Sequence, residues 1–260
     1  MDMSADWKSI ILGGVLLVMT ASGCAGNLYD WEASTRATAA VSASVLWHQQ
    51  VAVLPAYMAL PHSGFRQLVT TSLDLALAKV FPEATVLASK DVSSIINMQG
   101  LVEPYGELVA AYANHGILER TRLDRVGTAL GVRYVFLPTL IGHYEDMPDR
   151  WVLFGLRIFQ TRVGVVRLAL QLWDTKTGTV TWASNGEVTV SSDVYRQARV
   201  QLDHAVDVLW TAMLLDLRTG RTKSTYTPLD KLFQRFGPDL TKEIETVTTE
   251  VESTEGAGKP

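Results

Sequence analysis

The sequence predicts an α/β fold of the α+β kind: one small compact domain with a mixed β-sheet flanked by helices, a tether before it and a disordered C-terminal tail after it. Three observations predict it. A short apolar run closed by proline, Val51-Ala52-Val53-Leu54-Pro55, is followed by apolar residues at helical spacing from Phe65 to Val80. Later, Val165 to Trp173 and Val180 to Val190 alternate on either side of the turn Asp174-Thr175-Lys176-Thr177-Gly178, the pattern of an antiparallel hairpin. The chain of 260 residues is 47% hydrophobic, enough for a real core and too apolar for disorder.

The elements follow in order. Residues 1–23 read as a signal peptide. Lys8 precedes an apolar run from Ile10 to Met19, too short to cross a hydrocarbon core of roughly 30 Å. Small residues then lead to the single cysteine, Cys24, which has no partner for an internal disulfide. Residues 24–50 are rich in Ala and Ser and read as a tether. Tyr29, Trp31 and Trp47 argue that it packs on the domain or on lipid rather than moving freely. The domain proper is expected over 51–220. Ser63 offers a cap for the helix that Pro82 ends, Thr85-Val86-Leu87 is a short strand, and Asp91 offers the next cap. Helices are expected over Tyr105–His115 and Leu118–Leu130, the latter ended by Gly131. A strand is expected over Val132–Ile141, and a long helix from about Val194 to Leu217. Residues 221–260 read as a mostly disordered polar tail, in which Leu229, Leu232 and Phe233 dock at most one short helix.

Ala21-Ser22-Gly23-Cys24 resembles a bacterial lipobox, with Ala21 where Leu is commonest. Whether Met1 or Met3 is the start stays open; Met3 would drop Asp2 and leave the n-region weakly positive. The resemblance implies cleavage between Gly23 and Cys24, lipid on the Cys24 thiol and a membrane as partner. Ala25 in place of Asp implies the outer membrane rather than retention in the inner one. The lipid-anchored domain would then face the periplasm within the cell envelope.

A second resemblance covers roughly Val51 to Leu217. The strand Val51–Pro55, the passage from Leu123 through Gly131-Val132-Arg133-Tyr134-Val135, and the late hairpin with Asp174, Thr177, Gly178 and Trp182 are similar to one envelope family. It includes the TolB amino-terminal domain, the curli secretion lipoprotein and the lipoprotein activators of penicillin-binding proteins. The resemblance implies a small periplasmic domain that binds envelope partners without catalysis. This chain departs from the pattern at Trp151–Phe159, where Trp151, Val152, Phe154, Leu156 and Ile158 mark an apolar segment. Its length suits one membrane β-strand, for which about 9–11 residues are needed. An edge strand, a flap over the sheet or a partner-binding patch is the reading preferred over a strand of a pore.

No catalytic residue, cofactor or metal site is predicted. The histidines His48, His62, His115, His143 and His204 lack the spacing of a zinc helix, and the chain has neither a nucleophile elbow nor a phosphate loop. His143 with Glu145 and Asp146 reads as a solvated turn. The formal net charge of -4 carries no basic footprint for nucleic acid. The expected function is a membrane-anchored, non-catalytic binding or scaffold module with an envelope protein as partner. The alternative is a subunit of an oligomeric outer-membrane secretion channel, whose partner is further copies of the chain. A hydrolase assembled from scattered residues ranks third.

Overall fold

The computed structural model describes residues 29–38, 43–47, 49–58, 60–146, 149–153, 156–193 and 202–238. The expectations on 1–24, on Phe154, on the helical stretch 194–201 and on the tail from 239 lie outside them. The strands are β1 (Tyr29–Ala37), β2 (Gln50–Val53), β3 (Tyr57–Met58), β4 (Thr85–Leu87), β5 (Tyr134–Asp146), β6 (Asp149–Leu153), β7 (Leu156–Asp174), β8 (Thr179–Asp193) and β9 (Lys223–Tyr226). The helices are α1 (Arg66–Val80), α2 (Ser89–Met98), α3 (Val102–His115), α4 (Arg120–Leu130), α5 (Leu202–Thr219) and α6 (Lys231–Phe236).

The sheet is mixed, in the order β4-β2-β5-β7-β8-β1-β9, with β3 beside β5 and β6 beside β7. β2 runs parallel to β4 and β5, and β3 parallel to β5, while β5 to β9 along that order pair antiparallel. The predicted α/β class therefore holds. Parallel strands demand cover on both faces, and β2 shows it residue by residue. Val51 and Val53 enter a core with α1 and α5, while Ala52 and Leu54 enter a second core with α2, α3 and α4. β5 does the same, with Phe136 on the first side and Val135 and Leu137 on the other. On the second side the helical cover ends near Trp173. Beyond it the antiparallel half turns Glu32, Ser34, Arg36, Arg167 and Asn185 to solvent. Arg167 and Glu187, directly opposite in register, form an ion pair there.

α5 is buried on nearly every side, from Ala205 to Leu217. It lies between the sheet and α1, and its Trp210 Nε1 donates to the Val69 carbonyl at 3.0 Å. Trp173, Trp182 and Trp210 are all buried in the core.

Several expectations are corrected. The tether of 24–50 does not extend through the described part of that range. β1 is an interior strand between β8 and β9, with Trp31, Ala33, Thr35 and Ala37 buried and Asp30, Glu32, Ser34 and Arg36 exposed. The alternation has the period of a strand, and its small buried residues concealed it. The tail expected from 221 is likewise shortened. β9 pairs with β1, and α6 sets Phe233 against Trp31 with ring centroids 4.6 Å apart. Trp151–Phe159 is not one strand. It is a hairpin of β6 and the first residues of β7, with Trp151 opposite Phe159 and Leu153 opposite Leu156. At α1 the cap is Phe65 rather than Ser63, because a 3-10 turn from Leu60 to Phe65 leads into the helix. Ala88 holds the N-cap position of α2 without a side-chain capping bond, and Asp91 sits in the first turn. Gly131 closes α4 in the left-handed conformation, as read from the sequence.

Candidate functional site

The carboxyl end of a parallel strand is where open α/β sheets most often leave room for ligands. Here a cavity of about 120 Å³ lies past the end of β2, between the segment Leu54–Met58 and α3. α3 presents Tyr105, Leu108, Val109 and Tyr112 to it, the 3-4-7 spacing of one helix face. Arg66, the first residue of α1, stands at its edge.

The tyrosines are held rather than loose. Tyr57 and Tyr112 meet edge to face, with centroids 5.3 Å apart and planes at 81°. The Tyr112 hydroxyl donates to Gln171 Oε1 at 3.1 Å, and the same oxygen accepts from Trp173 Nε1 at 3.0 Å. Burial pushes the Tyr105 phenol well above its ordinary value, and the nearby Arg66 guanidinium only partly opposes this. Tyr105 therefore stays a neutral hydrogen-bonding group at neutral pH. Arg66 is exposed and has no ion-pair partner among the described residues.

The cavity lining contains no His, Cys, Ser, Thr, Asp or Glu. It offers an apolar slot about the size of one large side chain, phenolic groups and a cation at the rim. That set can hold and orient an apolar group that carries an acceptor or a negative charge. Its lining holds no thiol or aliphatic hydroxyl and no carboxylate or imidazole.

The residues singled out in the sequence fall elsewhere. Gly23 and Cys24 lie outside the described residues. Trp151, Val152, Leu156 and Ile158 fall on the backbone of the β6–β7 hairpin, and Phe154 lies outside the described residues. His143 Nε2 lies 3.9 Å from Glu145 Oε1 at the far end of β5, with the Phe65 ring 5.9 Å from its own. Among the described residues no three His, Cys, Asp or Glu side chains converge on a metal position. No helix among them is long and apolar enough to cross a membrane. The cavity itself went unread because its walls come from separate elements. The spacing of seven between Tyr105 and Tyr112 was the one signal of it.

No family model and no curated protein matches the chain in sequence. Solved structures do resemble it. A PelC dodecamer from Paraburkholderia phytofirmans is 15% identical, covering 72% of this chain and 97% of that one, with a TM-score of 0.39. Lipoprotein GNA1162 from Neisseria meningitidis is 14% identical, covering 66% and 99%, with a TM-score of 0.38. The LpoB C-terminal domain from Salmonella enterica is 15% identical, covering 54% and 81%, with a TM-score of 0.32. These are likenesses of fold, and the functional argument rests on the chain's own residues.

Proposed function

We propose that the chain is a lipid-anchored periplasmic lipoprotein, cut between Gly23 and Cys24, that serves as a non-catalytic binding or scaffold module at the outer membrane. The observation that carries this reading is the lipobox-like Ala21-Ser22-Gly23-Cys24. It sits directly behind an apolar run of signal-peptide size and five positions ahead of the first strand of the sheet. Acyl chains gain about 0.8 kcal/mol per buried methylene, so several chains on one cysteine anchor a domain stably. Cys24→Ser should abolish incorporation of a palmitate analogue and release the protein from the membrane fraction. Undiminished labelling of that variant would sink the anchor.

The binding part is supported by the cavity beside Tyr57, Tyr105 and Tyr112, whose lining suits capture rather than bond breaking. Val109→Phe, which projects a ring into that space from α3, should weaken in-cell crosslinking to an envelope protein while the fold persists. Unchanged crosslinks to that protein would remove the cavity from the interface.

The channel reading draws on the hairpin that extends past the sheet. Each of its arms has about five residues beyond the last pairing with β8, roughly half of the 9–11 that a membrane strand needs. Conducting rings of purified lipidated protein in bilayers would establish this reading, and a stable monomer in detergent would count against it.

A further inference from the structure

Two features leave the sheet at the same end. Tyr29, the first residue of β1, pairs with Ser192, and Ser192 pairs with Arg162 of β7. The last β8 partner along this direction is Asp193, opposite Thr161. From Gln160 outward the β6–β7 hairpin continues without β8, from the pair Asp149 and Gln160 to the pair Leu153 and Leu156. At about 3.3 Å per residue, the pair Leu153 and Leu156 at its outer end lies about 16 Å past Thr161. On the anchor side, five residue steps separate Cys24 from Tyr29, so Cys24 lies within about 18 Å of the same sheet end. The two reaches match.

We propose that the outer end of the β6–β7 hairpin, at the pair Leu153 and Leu156, rests in the interface of the same bilayer leaflet that holds the lipid of Cys24. This rests on the lipidation proposed above and adds to it a second contact, which orients the domain. The partner is a lipid surface. An anchor so close to β1 leaves the domain no room to stand off from the bilayer, and among the described residues the hairpin is the part that extends past the sheet at this end. The arms carry Trp151, Val152, Leu153, Leu156, Ile158 and Phe159. Tryptophan with aliphatic and aromatic neighbours is the composition of the membrane interface. A tip this short enters the headgroup and upper acyl region without crossing. Charge does not drive the contact: Asp30, Asp146, Asp149 and Asp193 at this end stand against Arg150, Arg157 and Arg162. The contact is apolar, so it persists on uncharged vesicles and in high salt.

The test uses the full lipidated chain reconstituted into phosphatidylcholine–phosphatidylethanolamine vesicles. Leu156→Cys is labelled with a polarity-sensitive nitrobenzoxadiazole dye, the acylated Cys24 being closed to it. The expected result is a blue-shifted emission that lipids spin-labelled near the headgroup quench. The same dye at Thr177→Cys, in the turn at the opposite sheet end, stays water-like and unquenched. As a second measurement, the spin labels should quench the tryptophan emission of the wild type more than that of Trp151→Phe. Flotation with the vesicles while the Leu156→Cys dye remains in water overturns the proposal and leaves the anchor intact. A blue shift without quenching places the tip against protein and also overturns it. Failure to float, with no acyl chain on Cys24, overturns both readings.

Discussion

Two residues show how narrowly the fold is determined at the smallest scale. A Cβ at Gly127 would stand 2.5 Å from Thr175 Oγ1 and 2.6 Å from Thr175 Cβ. Thr175 cannot yield, because its backbone N–H donates to the Arg133 carbonyl at 2.8 Å and its hydroxyl to the Val132 carbonyl at 3.2 Å. Gly127→Ala should therefore lower the unfolding free energy by about 1–3 kcal/mol, the usual cost of overpacking. Thr175→Ala in the same chain should return part of it, since the two changes meet at one contact. A denaturant titration of the two single variants and the double variant checks this, and strict additivity would remove the contact from the explanation. Asp216 has the opposite character: a buried carboxyl that gathers donors. It accepts from Ser224 Oγ at 2.6 Å, from the Tyr226 hydroxyl at 2.7 Å and from the Thr35 hydroxyl, and so joins α5, β9 and β1. Burial, then the bond to Asp216, holds the Tyr226 phenol above its ordinary value. Asp216→Ala leaves buried hydroxyls without their acceptor and should lower stability by about 2–3 kcal/mol in the same titration.

At the scale of elements, α1 and α2 meet through one carboxyl with an unusual titration. Burial first, and then the neighbouring Asp91 carboxyl, push Asp74 up to about 6 from an ordinary 3.8, against the opposing N–H of Ser89 at 3.3 Å. The folded state therefore holds this proton more tightly than the unfolded chain. The resulting stabilisation is full below about pH 3.8 and is lost as pH rises through about 6. Urea midpoints of the wild type, referenced to Asp74→Asn, should fall as pH climbs through that window and then level off. A flat difference would show that Asp74 titrates as an ordinary carboxylate. Other elements were open to reading in the sequence for simple physical reasons. β2, α1, β5, the turn at Asp174 and α5 carry long apolar residues at the right period, so each announces itself locally. β1 does not, because its buried side includes Ala33, Thr35 and Ala37. Its place depends on pairing with β8, more than 140 positions away. β9, Lys223-Ser224-Thr225-Tyr226, is polar in composition and becomes a strand only because β1 offers it an edge. The cavity was hidden for a related reason: Tyr57, Tyr105 and Tyr112 converge only after folding.

For the whole molecule, the first and last strands, β1 and β9, pair with each other, and this makes a sharp prediction about the C-terminal segment. β1 enters between β8 and β9, and α6 covers it through Phe233. Removing residues 221–260 would make β1 an edge strand and leave its backbone over Ala33–Arg36 without the β9 ladder. The deletion also takes away Tyr226 and Phe233, each worth about 1.5–3 kcal/mol of apolar burial. Asp216 loses two of its three donors at the same time. Against a typical total of about 5–15 kcal/mol, the sum is a large share of the stability of the domain. The truncated chain should thus unfold at markedly lower temperature, with near-ultraviolet dichroism from Trp31 and its neighbours weakened even when cold. A midpoint equal to that of the full chain would show that the segment after Gly220 is dispensable and that β1 holds its place through β8 alone. If instead the truncated chain melts early, the domain is closed from both ends of its sequence. Under the lipidation of Cys24 proposed above, a pull on the anchor would then act on an interior strand of the sheet, β1, and not on its edge.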